Sequence, residues 1–150
     1  MNRSDTGNRG KWAEKQVADW LTLRSNSDLG FAWMRFPDAK SARGALAAQP
    51  ADFKVASKGT GCWHLEVKET AQQLRLPKAK IRQYGLLKKW ELAGVSAVVV
   101  VYLTEIDRWT YLDSTDLFSH DECPASFKLK NPMVAPLDLL MTDLFGAIRH

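Results

Sequence analysis

A nearly unbroken apolar and mostly β-branched run, Val95–Leu103, constrains the fold of this chain more than any other feature. A run of this length and composition is typical of a β-strand that is covered on both faces. It is much shorter than the roughly 20 apolar residues that a membrane-spanning helix needs. The sequence therefore predicts a central strand inside a layered domain and no membrane span.

The segments around this strand predict an α/β fold in which helices flank a mixed central sheet. Further strands are expected at Phe31–Phe36, Asp52–Ala56, Cys62–Lys68 and Arg108–Asp113, with a hairpin turn at Lys58–Gly61. Helices are expected at Gly10–Arg24, at Lys78–Ala93 and after Pro136. The resulting order, αβββαββα, predicts three layers in a single domain over residues 1–150, preceded by a flexible start at Met1–Arg9.

Two of the predicted helices carry an apolar stripe. In the first, the stripe comprises Trp12, Ala13, Val17, Trp20 and Leu21, and Glu14 lies at its edge. In the last, the stripe comprises Leu137, Leu140, Met141, Leu144 and Phe145. The last stripe predicts core packing, with an oligomer interface as the alternative. Glu14 is expected at a boundary between core and cleft.

Charge is distributed unevenly along the chain. Residues 1–90 contain 17 Lys and Arg against 8 Asp and Glu, whereas residues 91–150 contain 4 against 9. Between Ala71 and Trp90 there are six basic residues and no acid: Arg75, Lys78, Lys80, Arg82, Lys88 and Lys89. This pattern indicates a surface for a polyanion such as DNA, or else a solvated helix face. The two cysteines are too few for a disulfide framework, which favours a reducing, cytoplasmic setting.

The strand Cys62–Lys68 carries the residues with the clearest chemical meaning. Its two-residue alternation places His64, Glu66 and Lys68 on one face. The hairpin turn would bring Asp52 opposite Glu66 on that same face. Two adjacent carboxylates repel each other unless a cation lies between them, and Mg²⁺ or Mn²⁺ prefers such oxygen ligands. These residues predict phosphodiester hydrolysis, whereas a surface ion pair between Glu66 and Lys68 is the simpler alternative.

The order of these motifs resembles the PD-(D/E)XK nuclease superfamily. The resemblance rests on Pro50-Ala51-Asp52 and on Glu66-Val67-Lys68 at the end of a strand. Within the superfamily the chain looks most like RecU-type Holliday-junction resolvases, through Leu65–Thr70, Leu76-Pro77, Gln83 and Ala93-Gly94. The similar part extends from about Gly10 to Leu112.

The resemblance implies a role for each matching residue. Asp52, Glu66 and the Val67 carbonyl would bind Mg²⁺, for which Mn²⁺ would substitute, and Lys68 would be the catalytic lysine. Glu14 would complete the acidic pocket, and Gln83 would lie near it. The chain departs from the pattern because its proline lies two residues before Asp52. It also shows no clear counterpart of the long RecU stalk, and the loop Pro37–Pro50 is the only candidate for a substrate-contacting insertion. Lys40, Ser41 and Arg43 in that loop are candidate DNA contacts, with simple loop solubility as the alternative.

The implied function is a metal-dependent endonuclease that cuts branched DNA, such as a four-way junction, as a homodimer in a bacterial or phage-infected cell. The alternatives are a restriction-, homing- or repair-type nuclease with the same centre, and a DNA-binding module without catalysis. His64 is expected to be a histidine whose hydrogen bonds are satisfied within the sheet, with a proton shuttle as the alternative. Trp12, Trp20 and Trp63 are expected in the core, while Trp90 and Trp109 stay open between core packing and base stacking.

Overall fold

The computed structural model describes residues 6–37, 48–72, 74–129 and 135–148. Their helices are α1 (Thr6–Ser27), α2 (Tyr84–Leu92), α3 (Ser114–Phe118) and α4 (Leu137–Phe145), with a 3₁₀ turn at Lys78–Lys80. Their strands are β1 (Phe31–Arg35), β2 (Phe53–Ser57), β3 (Gly61–Thr70), β4 (Arg75–Pro77), β5 (Ser96–Leu103), β6 (Arg108–Asp113) and β7 (Ser126–Lys128). In these described parts, no helix combines the length and the apolar character required to cross a membrane.

Five strands form the central sheet in the order β1-β2-β3-β5-β6. β3 and β5 run parallel, and the other neighbouring pairs run antiparallel. Every residue of β5 from Ala97 to Leu103 is buried, as predicted for a strand covered on both faces. The predicted α/β class with a mixed central sheet is therefore confirmed.

Helices cover both faces of this sheet and enclose two apolar cores. One core lies under α1 and α4, where Leu65 and Val100 of the sheet pack with Val17, Met141 and Phe145. The other core lies on the opposite face, beneath α2 and α3. Both predicted helix stripes face the first core, which confirms core packing as the role of the α4 stripe.

The predicted helix at Lys78–Ala93 is wrong over its first part. Residues Lys78–Lys80 form a 3₁₀ turn, and α2 begins only at Tyr84. Tertiary contacts explain the difference, because the Lys78 amide donates a hydrogen bond to the Ala125 carbonyl, 2.9 Å away. Ile81, between the turn and α2, is buried in the second core.

A two-stranded sheet and a short helix were not predicted from the sequence. β4 pairs antiparallel with β7, and this pairing places Leu76 opposite Phe127. Each strand has three residues, which is too short for alternation to be recognised. A signal for α3 was present in Asp113 and Asp116, whose side chains cap each other's backbone amides. At the other end of the chain, α1 begins at Thr6, four residues before the predicted start.

Candidate active site

Asp52 and Glu66 meet on one face of the sheet because of the β2–β3 hairpin. The register pairs Phe53 with Leu65, so that the preceding residue, Asp52, lies opposite Glu66. The Val67 amide donates a hydrogen bond to Asp52 Oδ2 over 2.8 Å, which fixes the orientation of the Asp52 carboxyl group. The side chains of Asp52 and Glu66 are themselves hydrogen-bonded to each other. The structure thus brings the two acids together.

Glu66 is the most strongly perturbed acid of the site. Its exposed fraction is only 6 %. Burial is the largest cause that raises its pKa, to about 9, followed by the hydrogen bond and the charge of Asp52; the Lys68 charge opposes the shift and the Glu14 charge adds to it. Without a cation, the pair therefore holds a proton near neutral pH. A divalent cation replacing that proton would satisfy both carboxylates.

Lys68 lies on the same face as Glu66, two residues further along β3. Its Nζ atom is 3.8 Å from Glu66 Oε1, and its side chain is one quarter exposed. This placement excludes the simple surface ion pair, because the partner carboxylate is buried. The ammonium group faces the cleft in which Asp52 and Glu66 also lie.

Glu14 reaches the site from α1, which packs on the other side of the sheet. Arg35, the last residue of β1, donates from Nη2 to Glu14 Oε2 over 3.1 Å. The Glu14 side chain is one third exposed, in agreement with the predicted boundary position. Glu14 lines the same cleft as Asp52 and Glu66, and its charge adds to the causes that raise the pKa of Glu66.

These residues line an open cleft of about 910 Å³. Gln83, directly before α2, and Arg82 contribute to one wall, while Phe36 and Pro37 contribute to another. Of the described residues, no group of three or more His, Cys, Asp and Glu side chains is arranged to hold a metal ion. The candidate donor set is therefore the two carboxylates of Asp52 and Glu66, with a backbone carbonyl such as that of Val67 as the third donor.

The predicted basic residues do not lie on one helix face. Arg75 is on β4, Lys78 and Lys80 are in the 3₁₀ turn, and Arg82 is in the connection to α2; all four are exposed. Lys80 Nζ donates to the Glu69 carbonyl over 2.9 Å, which ties the turn to the strand of the candidate site. The three loop candidates Lys40, Ser41 and Arg43 lie outside the described residues.

Three further residues that line the cleft were not predicted from the sequence: Arg35, Lys11 and Lys15. A signal for the two lysines existed, since Lys11, Glu14, Lys15 and Ala18 recur at helical spacing and form the face of α1 that borders the cleft. Arg35 had no local signal, because its position beside Glu14 depends on how β1 packs against α1.

His64 is buried, as expected, but the prediction that its hydrogen bonds are satisfied was wrong. Within the described ranges, its Nδ1 atom has no hydrogen-bond partner. Burial, assisted by the Lys54 charge, lowers the pKa of His64 to about 4, so the imidazole is neutral at physiological pH. Among the tryptophans, Trp12, Trp20 and Trp63 pack in or against the first core as predicted, Trp109 is also buried there, and Trp90 is partly exposed.

The order of the strands and the helices on both faces of the sheet match the fold of a solved Holliday junction resolvase. The solved structure of Hjc from Archaeoglobus fulgidus, a Holliday junction resolvase from an archaeal hyperthermophile, is similar over 89% of this chain and 98% of that chain. The TM-score is 0.56 and the sequence identity 19%, so the similarity concerns the fold alone. No protein-family model matches the chain. The search of curated proteins likewise gave no match.

Proposed function

We propose that this protein is a Mg²⁺-dependent endonuclease that hydrolyses phosphodiester bonds in branched DNA, as a RecU-type Holliday-junction resolvase would. The observation that carries the proposal is the pair of half-buried Asp52 and buried Glu66, with Lys68 beside it, in an open cleft. Buried acids that serve only stability are usually paired with basic groups and not with each other. A hydrogen-bonded acid pair facing a cleft is therefore best explained by chemistry.

Asp52, Glu66 and the Val67 carbonyl would hold the cation, and Mn²⁺ would substitute for Mg²⁺. When bound, the ion polarises the scissile phosphate and offsets its developing negative charge. The chain's own contribution is a fixed donor set, because the Val67 amide holds Asp52 and the sheet holds Glu66. The acids need little reorganisation on binding, which favours an ion that demands strict geometry.

Lys68 would orient the attacking nucleophile or stabilise the charge on the phosphate in the transition state. Glu14, held in place by Arg35, would adjust the negative charge of the pocket from the opposite wall. Gln83 would contact the substrate or a water molecule from the start of α2. Each role uses a residue that borders the same cleft.

The basic residues Arg75, Lys78, Lys80 and Arg82 would bind the DNA backbone next to the cleft. A four-way junction has two-fold symmetry, so we propose that a homodimer places one centre on each of two opposed strands. A restriction-, homing- or repair-type nuclease would use the same acids and would differ from a resolvase in its DNA substrate. A binding module would have no use for the acid pair.

The first prediction concerns the centre itself. Asp52→Asn removes a charged ligand, and Lys68→Ala removes the ammonium group. Each variant is expected to lower the rate of junction cleavage at least 100-fold, because removing a single stabilising group from an active site has an effect of about this size. Binding of the junction should change little. The measurement is cleavage of a labelled four-way junction in Mg²⁺ beside an equilibrium binding assay.

Matched controls are Asp121→Asn, which changes an exposed acid, and Lys58→Ala, which changes an exposed lysine in the β2–β3 turn. Both should cut like the wild type. Retained cutting by Asp52→Asn would remove this residue from the mechanism. A panel of linear, nicked, flapped and four-way DNA tests the substrate, and equal cutting of linear duplex would contradict the resolvase assignment.

A further inference from the structure

A cluster of aromatic side chains adjoins the candidate active site on the same face of the sheet. The ring of buried His64 lies 5.6 Å from the Phe36 ring and 5.4 Å from the Trp90 ring, in edge-to-face contacts. Lys54 Nζ lies 5.6 Å from the centre of the Trp90 ring. We call Phe36, Lys54, His64 and Trp90 the aromatic cluster.

The aromatic cluster is attached directly to the candidate catalytic residues. His64 precedes Glu66 by two positions on β3, a separation of about 7 Å along a strand. The Phe36 amide donates to the Asp52 carbonyl over 2.9 Å, and Phe36 also lines the cleft. Each strand of duplex DNA carries one phosphate per about 3.4 Å. The nearest ring of the aromatic cluster is therefore within one or two nucleotides of a phosphate bound at the acid pair.

Trp90 is held in place and yet accessible. Its side chain is 40% exposed, although the rings below it are buried or half-buried. Beyond Trp90 the sheet face is uncovered, since Ala32, Met34 and Ala56 on this face are exposed. The Trp90 ring is thus positioned by His64 and Lys54 while part of it faces solvent, next to the cleft.

Charge favours a polyanionic occupant of this surface. Lys54 lies against the Trp90 ring, and Lys88 and Lys89 directly precede Trp90 on α2. Glu91 is the single acidic residue of that helix. A second copy of the chain, docked about a two-fold axis through this surface, would bring the same lysines towards each other. An aromatic ring beside lysines is the composition that binds unstacked nucleic-acid bases.

We propose that Trp90 is a specificity-determining residue that stacks on an unstacked DNA base adjoining the cleaved phosphate, with Lys54 binding the neighbouring backbone. This inference rests on the proposed function and deepens it. A base inside a continuous duplex must leave its stack before it can reach the ring, whereas a base at a branch point has already lost part of its stacking. Trp90 therefore favours branched over linear DNA.

The test compares Trp90→Leu with Trp90→Phe, because leucine keeps an apolar contact with His64 but has no ring face. Leu92→Ala is the control, since Leu92 is exposed on another side of the same helix. Binding of a labelled four-way junction and of a linear duplex of the same sequence is measured without divalent ions. Trp90→Leu should weaken junction binding about fivefold to 100-fold and duplex binding less than twofold, with Trp90→Phe between it and the wild type.

Three outcomes would overturn the inference. The first is equal weakening of junction and duplex binding by Trp90→Leu. The second is unchanged binding of both. The third is a lower molar mass of Trp90→Leu by light scattering, which would assign Trp90 to a contact between subunits. Binding is measured without divalent ions and does not depend on cleavage. A protein that cuts no DNA, but in which Trp90→Leu weakens junction binding selectively, would therefore contradict the proposed nuclease activity and leave this inference intact.

Discussion

At the residue scale, the burial of Glu66 makes its charged form unfavourable for folding. It is nearly fully buried beside a second acid, with its pKa raised to about 9. The ordinary pKa of this group is 4.5, so between pH 4.5 and 9 unfolding must release a proton. The free energy of unfolding of the metal-free protein is expected to be highest below pH 4.5, as far as this group is concerned, and to fall as the pH rises.

This dependence gives a prediction for Glu66→Gln, which keeps a side chain of the same shape that does not titrate. In EDTA, the variant is expected to be more stable than the wild type at pH 8 by up to about 5 kcal/mol, and the difference should shrink towards pH 5. Urea unfolding at a series of pH values measures it. Parallel stability curves for the two proteins would show that Glu66 carries no shifted proton.

At the element scale, the β4–β7 pair and the following 3₁₀ turn hold the basic segment against the body of the protein. Leu76 is completely buried opposite Phe127, whereas Leu74, two residues earlier, is 69% exposed. The turn that follows is tied to β3 through Lys80 and to Ala125 through the Lys78 amide. Apolar burial in this pair therefore positions the cations beside the cleft.

Leu76→Ala is expected to lower the free energy of unfolding by about 2–5 kcal/mol, because it opens a cavity in the second core. Leu74→Ala is the control and should change it by less than about 0.5 kcal/mol. Chemical denaturation of both variants provides the comparison. A loss below 1 kcal/mol for Leu76→Ala would mean that the small sheet does not anchor this segment.

At the scale of the whole molecule, the two parts of the chain differ in sign of charge. The first 90 residues supply the cleft walls and the exposed basic segment, whereas the last 60 carry an excess of acids. The excess of cations around the cleft attracts a polyanion to it. Binding should therefore be strongly salt-dependent.

Lys80→Gln and Arg82→Gln are each expected to reduce the slope of log K against log salt concentration for duplex DNA by about 0.9, the contribution of one phosphate contact. Arg108→Gln, an exposed cation on the β6 edge of the sheet, should leave the slope unchanged. Binding isotherms at several salt concentrations measure these slopes. An equal change for all three variants would indicate a diffuse effect of net charge and no defined DNA path.

Features that depend on neighbouring residues of one strand, helix or hairpin could be predicted from the amino-acid sequence alone. The apolar run predicted the buried β5, the alternation on β3 placed Glu66 and Lys68 together, and the short hairpin brought Asp52 opposite Glu66. Such patterns are set by the backbone geometry of an element, which repeats every two residues in strands and every 3.6 in helices.

Contacts between elements that are distant along the chain could not be predicted in this way, because they form only when the chain folds. The Arg35–Glu14 pair, the β4–β7 sheet, the break before α2 and the packing of Trp90 on His64 all arise there. None of these has a periodic signature, because each depends on how two surfaces pack and not on the conformation of either segment alone. The walls of the cleft and its aromatic neighbour therefore became visible only in the folded chain.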